Sequence, residues 1–223
     1  MTTRGFPVNS DSVVAPQAAA PSPEHPPHPQ DVAGAKMGMW LFLFTELLLF
    51  GGLFLLFSVG FSRHAPEFHE GGLVLDRTMG TINTVVLITS SLFVALAVGR
   101  TQRGDIARAR LLLLLTIVCA GIFLCIKYVE WSTKIHHGIY PGGPEYLTMP
   151  AGRMAFFNLY YLMTGLHALH VIIGGAVIFW VQHRMGKGLV TRERYVLVEN
   201  AGLYWHLVDL VWIYLFPLFY LVM

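Results

Sequence analysis

Seven ionisable side chains stand within or beside the long apolar runs of this 223-residue chain: Glu46, Lys127, Glu130, His167, His170, His206 and Asp209. Each is costly against hydrocarbon, so each should face a bundle interior or a polar partner. His167 and His170 lie three residues apart on one helix face, as do His206 and Asp209. Groups of this kind can relay protons, hold a metal or lock helices together. Glu46, Asp209 and His206 could complete an N/O shell around the histidine pair. A bis-histidine haem, however, needs ligands from two helices at matched depth, which one turn of a single helix does not provide. The expectation is therefore no metal and no haem in this chain. His206 and Asp209 read either as an internal histidine–carboxylate hydrogen bond or as part of a proton-handling cluster. Lys127 and Glu130 read as a self-neutralising pair near the outer surface. Glu46 has no basic residue within a turn. Either His206 or His170 supplies its partner from another helix, or the carboxyl keeps its proton.

The elements that must position these groups are membrane-spanning helices. The chain is 55% hydrophobic and 13% charged with mean hydropathy +0.57, whereas soluble domains carry about 25% charged residues. Segments 37–61, 78–99, 154–181 and 201–223 hold only Glu46 and Asp209 as formal charges, and each meets the roughly 20 residues needed to span a bilayer. The apolar stretch 111–126 needs Lys127 to Trp131 to reach that length. The fold class is all-α: an integral bundle of five transmembrane helices at about 37–61, 78–99, 109–131, 154–181 and 199–222. At about 1.5 Å per residue, Glu46 and His206 fall near 13 Å from the inner face, Asp209 and His170 near 18 Å and His167 near 22 Å. These five could meet in the cytoplasmic half.

Residues 1–35 hold seven of the twelve prolines and no apolar run of signal-peptide length, and read as a disordered cytoplasmic tail. Ten Lys and Arg fall on the N-terminal side of the spans against four on the other, which puts the N-terminus in the cytoplasm and the C-terminus outside. A net charge of +2, dispersed over loops, excludes a nucleic-acid surface. Cys119 and Cys125, six apart on one helix, cannot bridge each other. A proton-coupled transporter would show broken helices at two matching mid-membrane places, and only Pro217 comes near this.

The same residues carry a family likeness. Trp40-Leu41-Phe42-Leu43-Phe44-Thr45-Glu46 resembles the helix with a membrane-buried glutamate in subunit III of haem-copper oxidases. Ile82-Asn83-Thr84 is similar to its next helix, and Lys127-Tyr128-Val129-Glu130-Trp131 to its glutamate–aromatic signature. Thr164-Gly165-Leu166-His167-Ala168-Leu169-His170-Val171 and Tyr204-Trp205-His206-Leu207-Val208-Asp209-Leu210-Val211-Trp212 resemble its two most specific stretches, in the same order. The resemblance implies the five-helix form, with the tail 1–35 in place of the two first helices of seven-helix members. It implies a subunit with no catalytic centre and no redox cofactor of its own. Its partners would be the catalytic subunit I, which with subunit II carries haem and copper, and membrane lipids, bound phospholipid included. The setting would be a bacterial-type cytoplasmic membrane. Cytochrome c oxidase, quinol oxidase and nitric oxide reductase complexes remain alternatives, since the motifs do not choose among them.

Overall fold

The computed structural model describes residues 29–192 and 194–221. Most of the expected tail, residues 1–28, lies outside them. Within them the chain is helical, without strands: α1 (Pro29–Arg63), α2 (Ala65–Leu73), α3 (Arg77–Gln102), α4 (Ile106–His136), a 3-10 turn (Tyr146–Thr148), α5 (Ala151–Gly186) and α6 (Val196–Phe216), which runs on into a π turn (Pro217–Leu221). Helix α1 takes in residues 29–35. Five helices are long and apolar enough to cross a membrane, at Ala33–Arg63, Arg77–Gln102, Ile106–His136, Ala151–Gly186 and Val196–Leu221. They coincide with the five expected, each longer by several residues at one or both ends.

Local chemistry explains the boundaries. Asp76 caps α3 by accepting from the Thr78 and Met79 amides at 2.8 and 3.2 Å, and Asp105 caps α4 by accepting from the Arg108 amide at 3.3 Å. Gly104, at φ +81°, makes the tight reversal between α3 and α4 that a side chain would strain. The segment between the first two spans is not a simple break. It folds as α2, which drives Phe68 into a nest of Phe57, Phe61 and Phe156. Lys134 of α4 donates to the Val74 carbonyl at the C-terminal end of α2, at 2.7 Å, where the helix dipole favours a cation.

Helices α3, α4, α5 and α6 pack in a closed ring, each against its two neighbours, while α1 lies outside it against α5 and α6. Gly174 permits the close approach of α5 and α6, because a Cβ there would stand 2.9 Å from the Trp205 ring. The outward faces are apolar, with Leu55, Val85, Val118 and Phe179 well exposed. The ring interior is mixed: Asn83, Ser90, Thr116, Thr164, His167 and Asp209 are buried beside Phe123, Trp205 and Trp212.

Candidate functional site

The ionisable residues do not gather at one place. They occupy three stations and an isolated interior.

The first station joins α1 to α5. Glu46 Oε2 lies 2.9 Å from His170 Nε2, and both side chains are largely buried, at 16% and 11% exposure. His170 Nδ1 is 2.7 Å from the Leu166 carbonyl. A carbonyl can only accept, so Nδ1 carries a proton and the Nε2 to Glu46 bond has one further proton to share. Whether that proton sits on the carboxyl or the imidazole, the pair is electroneutral. Phe50 packs edge-on against the imidazole at 5.2 Å, and the Tyr204 hydroxyl donates to the His170 carbonyl at 3.4 Å. Of the two histidines expected as candidates for Glu46, the partner is His170. Toward its N-terminal end α1 is fastened again, by Lys36 to Glu199 of α6 at 2.9 Å. Between these two fastenings an apolar groove of about 210 Å³ is lined by Met39, Phe42, Ile173, Val177 and Leu197.

The second station ties α4, α5 and α6 together. Lys127 Nζ donates to Glu130 Oε2 at 2.8 Å and to the Tyr220 hydroxyl at 2.6 Å. The Tyr160 and Tyr220 hydroxyls both donate to Glu130 Oε1, at 2.8 and 2.7 Å. The ammonium also sits 5.0 to 5.3 Å from the ring centres of Trp212, Tyr220 and Tyr160. Lys127 and Glu130 form the expected pair. They are covered by neighbouring helices and do not snorkel: their side chains are 4% and 2% exposed. Sequence reasoning missed Tyr220 as a partner. Its signal was Pro217, after which the helix widens into a π turn.

The third station lies between α3 and α6. His206 Nδ1 is 2.6 Å from the Ser91 hydroxyl, and the half-buried imidazole lies at the edge of the ring. Nearby, the Trp205 and Trp212 indoles donate to Ser90 and Thr84 of α3, each at 3.0 Å. The expected internal bond from His206 to Asp209 does not form. Three residues of spacing put both on one side of α6, but His206 turns to α3 while Asp209 is enclosed. The Ser91 hydroxyl is hydrogen-bonded to His206, and neither Asp209 carboxylate oxygen has a hydrogen-bond partner among the described residues. His167 is likewise enclosed, against Phe123 at 5.5 Å and Trp212 at 5.2 Å, and among the described residues neither ring nitrogen has a hydrogen-bond partner. Thus the structure brings together Glu46 with His170 and Lys127 with Glu130, and keeps His167, His206 and Asp209 apart from both pairs. Among the described residues no three His, Cys, Asp or Glu side chains converge as metal ligands would.

Comparison with known proteins extends the geometry. The family model described as cytochrome c oxidase subunit III matches residues 23–222. The haem-copper oxidase subunit I+III of Aeropyrum pernix is 34% identical over 205 residues, 89% of this chain and 24% of that protein, so the chain spans about a quarter of it. Cytochrome c oxidase subunit 3 of Thermostichus vulcanus is 32% identical over 83% of this chain and 86% of its own length. Quinol oxidase subunit 3 of Bacillus subtilis is 28% identical over 83% of this chain and 85% of its own.

Proposed function

The chain belongs to the cytochrome c oxidase subunit III family, and from that membership we propose that it is the non-redox accessory subunit of a proton-pumping haem-copper oxidase in a bacterial-type cytoplasmic membrane. In this reading it sits beside catalytic subunit I and subunit II, with its N-terminus in the cytoplasm. There it supports proton uptake, assembly and the durability of the catalytic subunit during aerobic electron transport. The observation that carries the non-redox reading is the setting of the two histidines on α5. Both nitrogens of His170 are engaged, by Glu46 and the Leu166 carbonyl, and His167 is walled in by aromatic rings. The donor set thus favours helix locking over ligation of a redox centre. The groove between α1, α5 and α6, largely apolar with Asn200 and Tyr204 also in its lining, suits an acyl chain of a bound phospholipid.

Gentle purification of the tagged chain should bring down a catalytic haem-copper subunit. Stripping the chain from that complex should leave the haem spectrum unchanged, while oxygen reduction persists at first and then decays with repeated turnover. Loss of a haem band on stripping, or a stoichiometric redox metal in the isolated chain, would overturn the reading. Relatives named for cytochrome c oxidases and for quinol oxidases both match. Supplying the purified complex with each donor in turn decides between them.

A further inference from the structure

Near mid-membrane most polar side chains of the spanning helices are enclosed or bonded within the bundle, and His206 stands out as an imidazole at the surface of the bundle. His206 lies ten residues beyond the start of α6 at Val196, and Ser91 lies eleven before the end of α3 at Gln102. At about 1.5 Å per residue both stand some 15 Å deep, near the centre of a hydrocarbon layer about 30 Å thick. The imidazole is half-buried at the seam of the two helices. Its Nδ1 is taken by Ser91, and Nε2 has no hydrogen-bond partner among the described residues. A lipid tail offers no partner at that depth, and an unmet ring nitrogen in hydrocarbon is costly. The flanks of the seam are apolar and exposed: Ile88 and Leu92 on α3, Leu210 and Ile213 on α6. An apolar strip with one polar atom at its centre is what a transmembrane helix bearing one complementary side chain would cover.

We propose that the α3–α6 seam around His206 is the intramembrane surface on which a helix of the catalytic subunit docks, with a hydrogen-bonding side chain of that helix meeting His206 Nε2. The inference rests on the accessory-subunit reading and adds the face that makes the contact. A second copy of this chain is the poorer occupant. A two-fold contact would set His206 against His206, and equivalent rings in the same tautomer present two donors or two acceptors to each other. The surfaces of α4 around Val118 and of α1 around Leu55 are apolar and carry no imidazole at comparable depth.

The test is photo-crosslinking in the assembled complex. A benzophenone amino acid replaces Leu92 or Leu210 at the seam, and Val118 or Leu55 elsewhere. These side chains are exposed, so the fold tolerates the change. Adducts with the catalytic subunit should arise from positions 92 and 210 and not from 118 and 55. In parallel, His206→Leu should lower the catalytic subunit retained after detergent exchange at least tenfold, while the isolated variant unfolds within a few degrees of the parent chain. Catalytic-subunit adducts from 118 or 55 alone, adducts joining two copies of this chain at 92 or 210, or undiminished retention in H206L would overturn the docking face and leave the accessory role standing. If no catalytic subunit accompanies the parent chain, the accessory reading fails first and the docking face fails with it.

Discussion

Replacing Glu130 by Leu strands the Lys127 ammonium inside the helix ring. The carboxylate takes three donors, from Lys127, Tyr160 and Tyr220 at 2.7 to 2.8 Å. Removing one member of a buried ion pair costs about 3–5 kcal/mol. Three aromatic faces near 5 Å still hold the cation, and with cation–π contacts worth about 0.5–2 kcal/mol each, the low end of that range is expected. At roughly 2–4 °C per kcal/mol for a chain of this size, a loss near 3 kcal/mol lowers the midpoint by about 6–12 °C. Thermal unfolding of the purified chain in detergent reads this through tryptophan fluorescence, since Trp212 lies 5.0 Å from the Lys127 nitrogen. Lys127→Met alone removes the cation that balances Glu130 and should cost a similar amount. The double variant K127M/E130L removes both charges and should recover to within about 1–2 kcal/mol of the parent, because uncharged replacements of similar volume need no counter-ion. An E130L midpoint within 2 °C of the parent, or a double variant as unstable as the two singles added together, would refute the reasoning.

Other outcomes follow from the same geometry. Tyr220→Phe removes one bond from Lys127 and one to Glu130, and at about 0.6–1.7 kcal/mol for each intramembrane hydrogen bond it should cost about 1–3 kcal/mol in the same unfolding assay. Glu46→Gln keeps a hydrogen-bonding group toward His170 Nε2 and should stay near parental stability, whereas Glu46→Leu should lose about 1–3 kcal/mol. Glu46 should also react with a bilayer-partitioning carbodiimide faster than Glu145 of the loop, and mass spectrometry should find that adduct absent in E46Q. Gly174→Val drives a side chain into Trp205, whose ring is already 2.9 Å from a Cβ at that position, and should abolish accumulation of the chain in membranes. Cysteines at Arg103 and Lys187 should label from one side of the membrane and one at Glu145 from the other. These sites avoid Gly104, Gly188 and Gly142, whose positive φ angles of 81°, 72° and 88° a side chain would strain.

The five spans were legible because length and hydropathy alone decide them. Helix α2 was not, since its nine residues Ala65–Leu73 include Pro66, Glu67, His69 and Glu70, and what folds it is the burial of Phe68 among rings from α1 and α5. The Lys127–Glu130 pair was legible from spacing along one helix, but its burial was not, because cover comes from Tyr160 and Tyr220 on two other helices. Spacing and depth left His206 and His170 both open as the partner of Glu46. The structure chose His170, because α1 packs on α5 and α6 and makes no comparable contact with α3, where His206 is engaged. Which helix neighbours which is a property of the ring, and periodicity within one segment does not carry it.

That ring order has a physical basis in the polar residues themselves. Between helices in lipid the hydrophobic effect discriminates little, since a leucine face is as content against an acyl chain as against another leucine. Packing shape and hydrogen bonds must then choose the neighbours. Helix α1 meets α5 through Glu46 and His170, α4 meets α5 and α6 through the Lys127 quartet, and α3 meets α6 through Ser91 with His206, Ser90 with Trp205 and Thr84 with Trp212. Each of these contacts joins a particular pair of helices, so exchanging one neighbour for another would break a hydrogen-bonded pair inside the bundle. The polar groups thereby specify the order of the ring, which apolar faces alone would leave nearly degenerate.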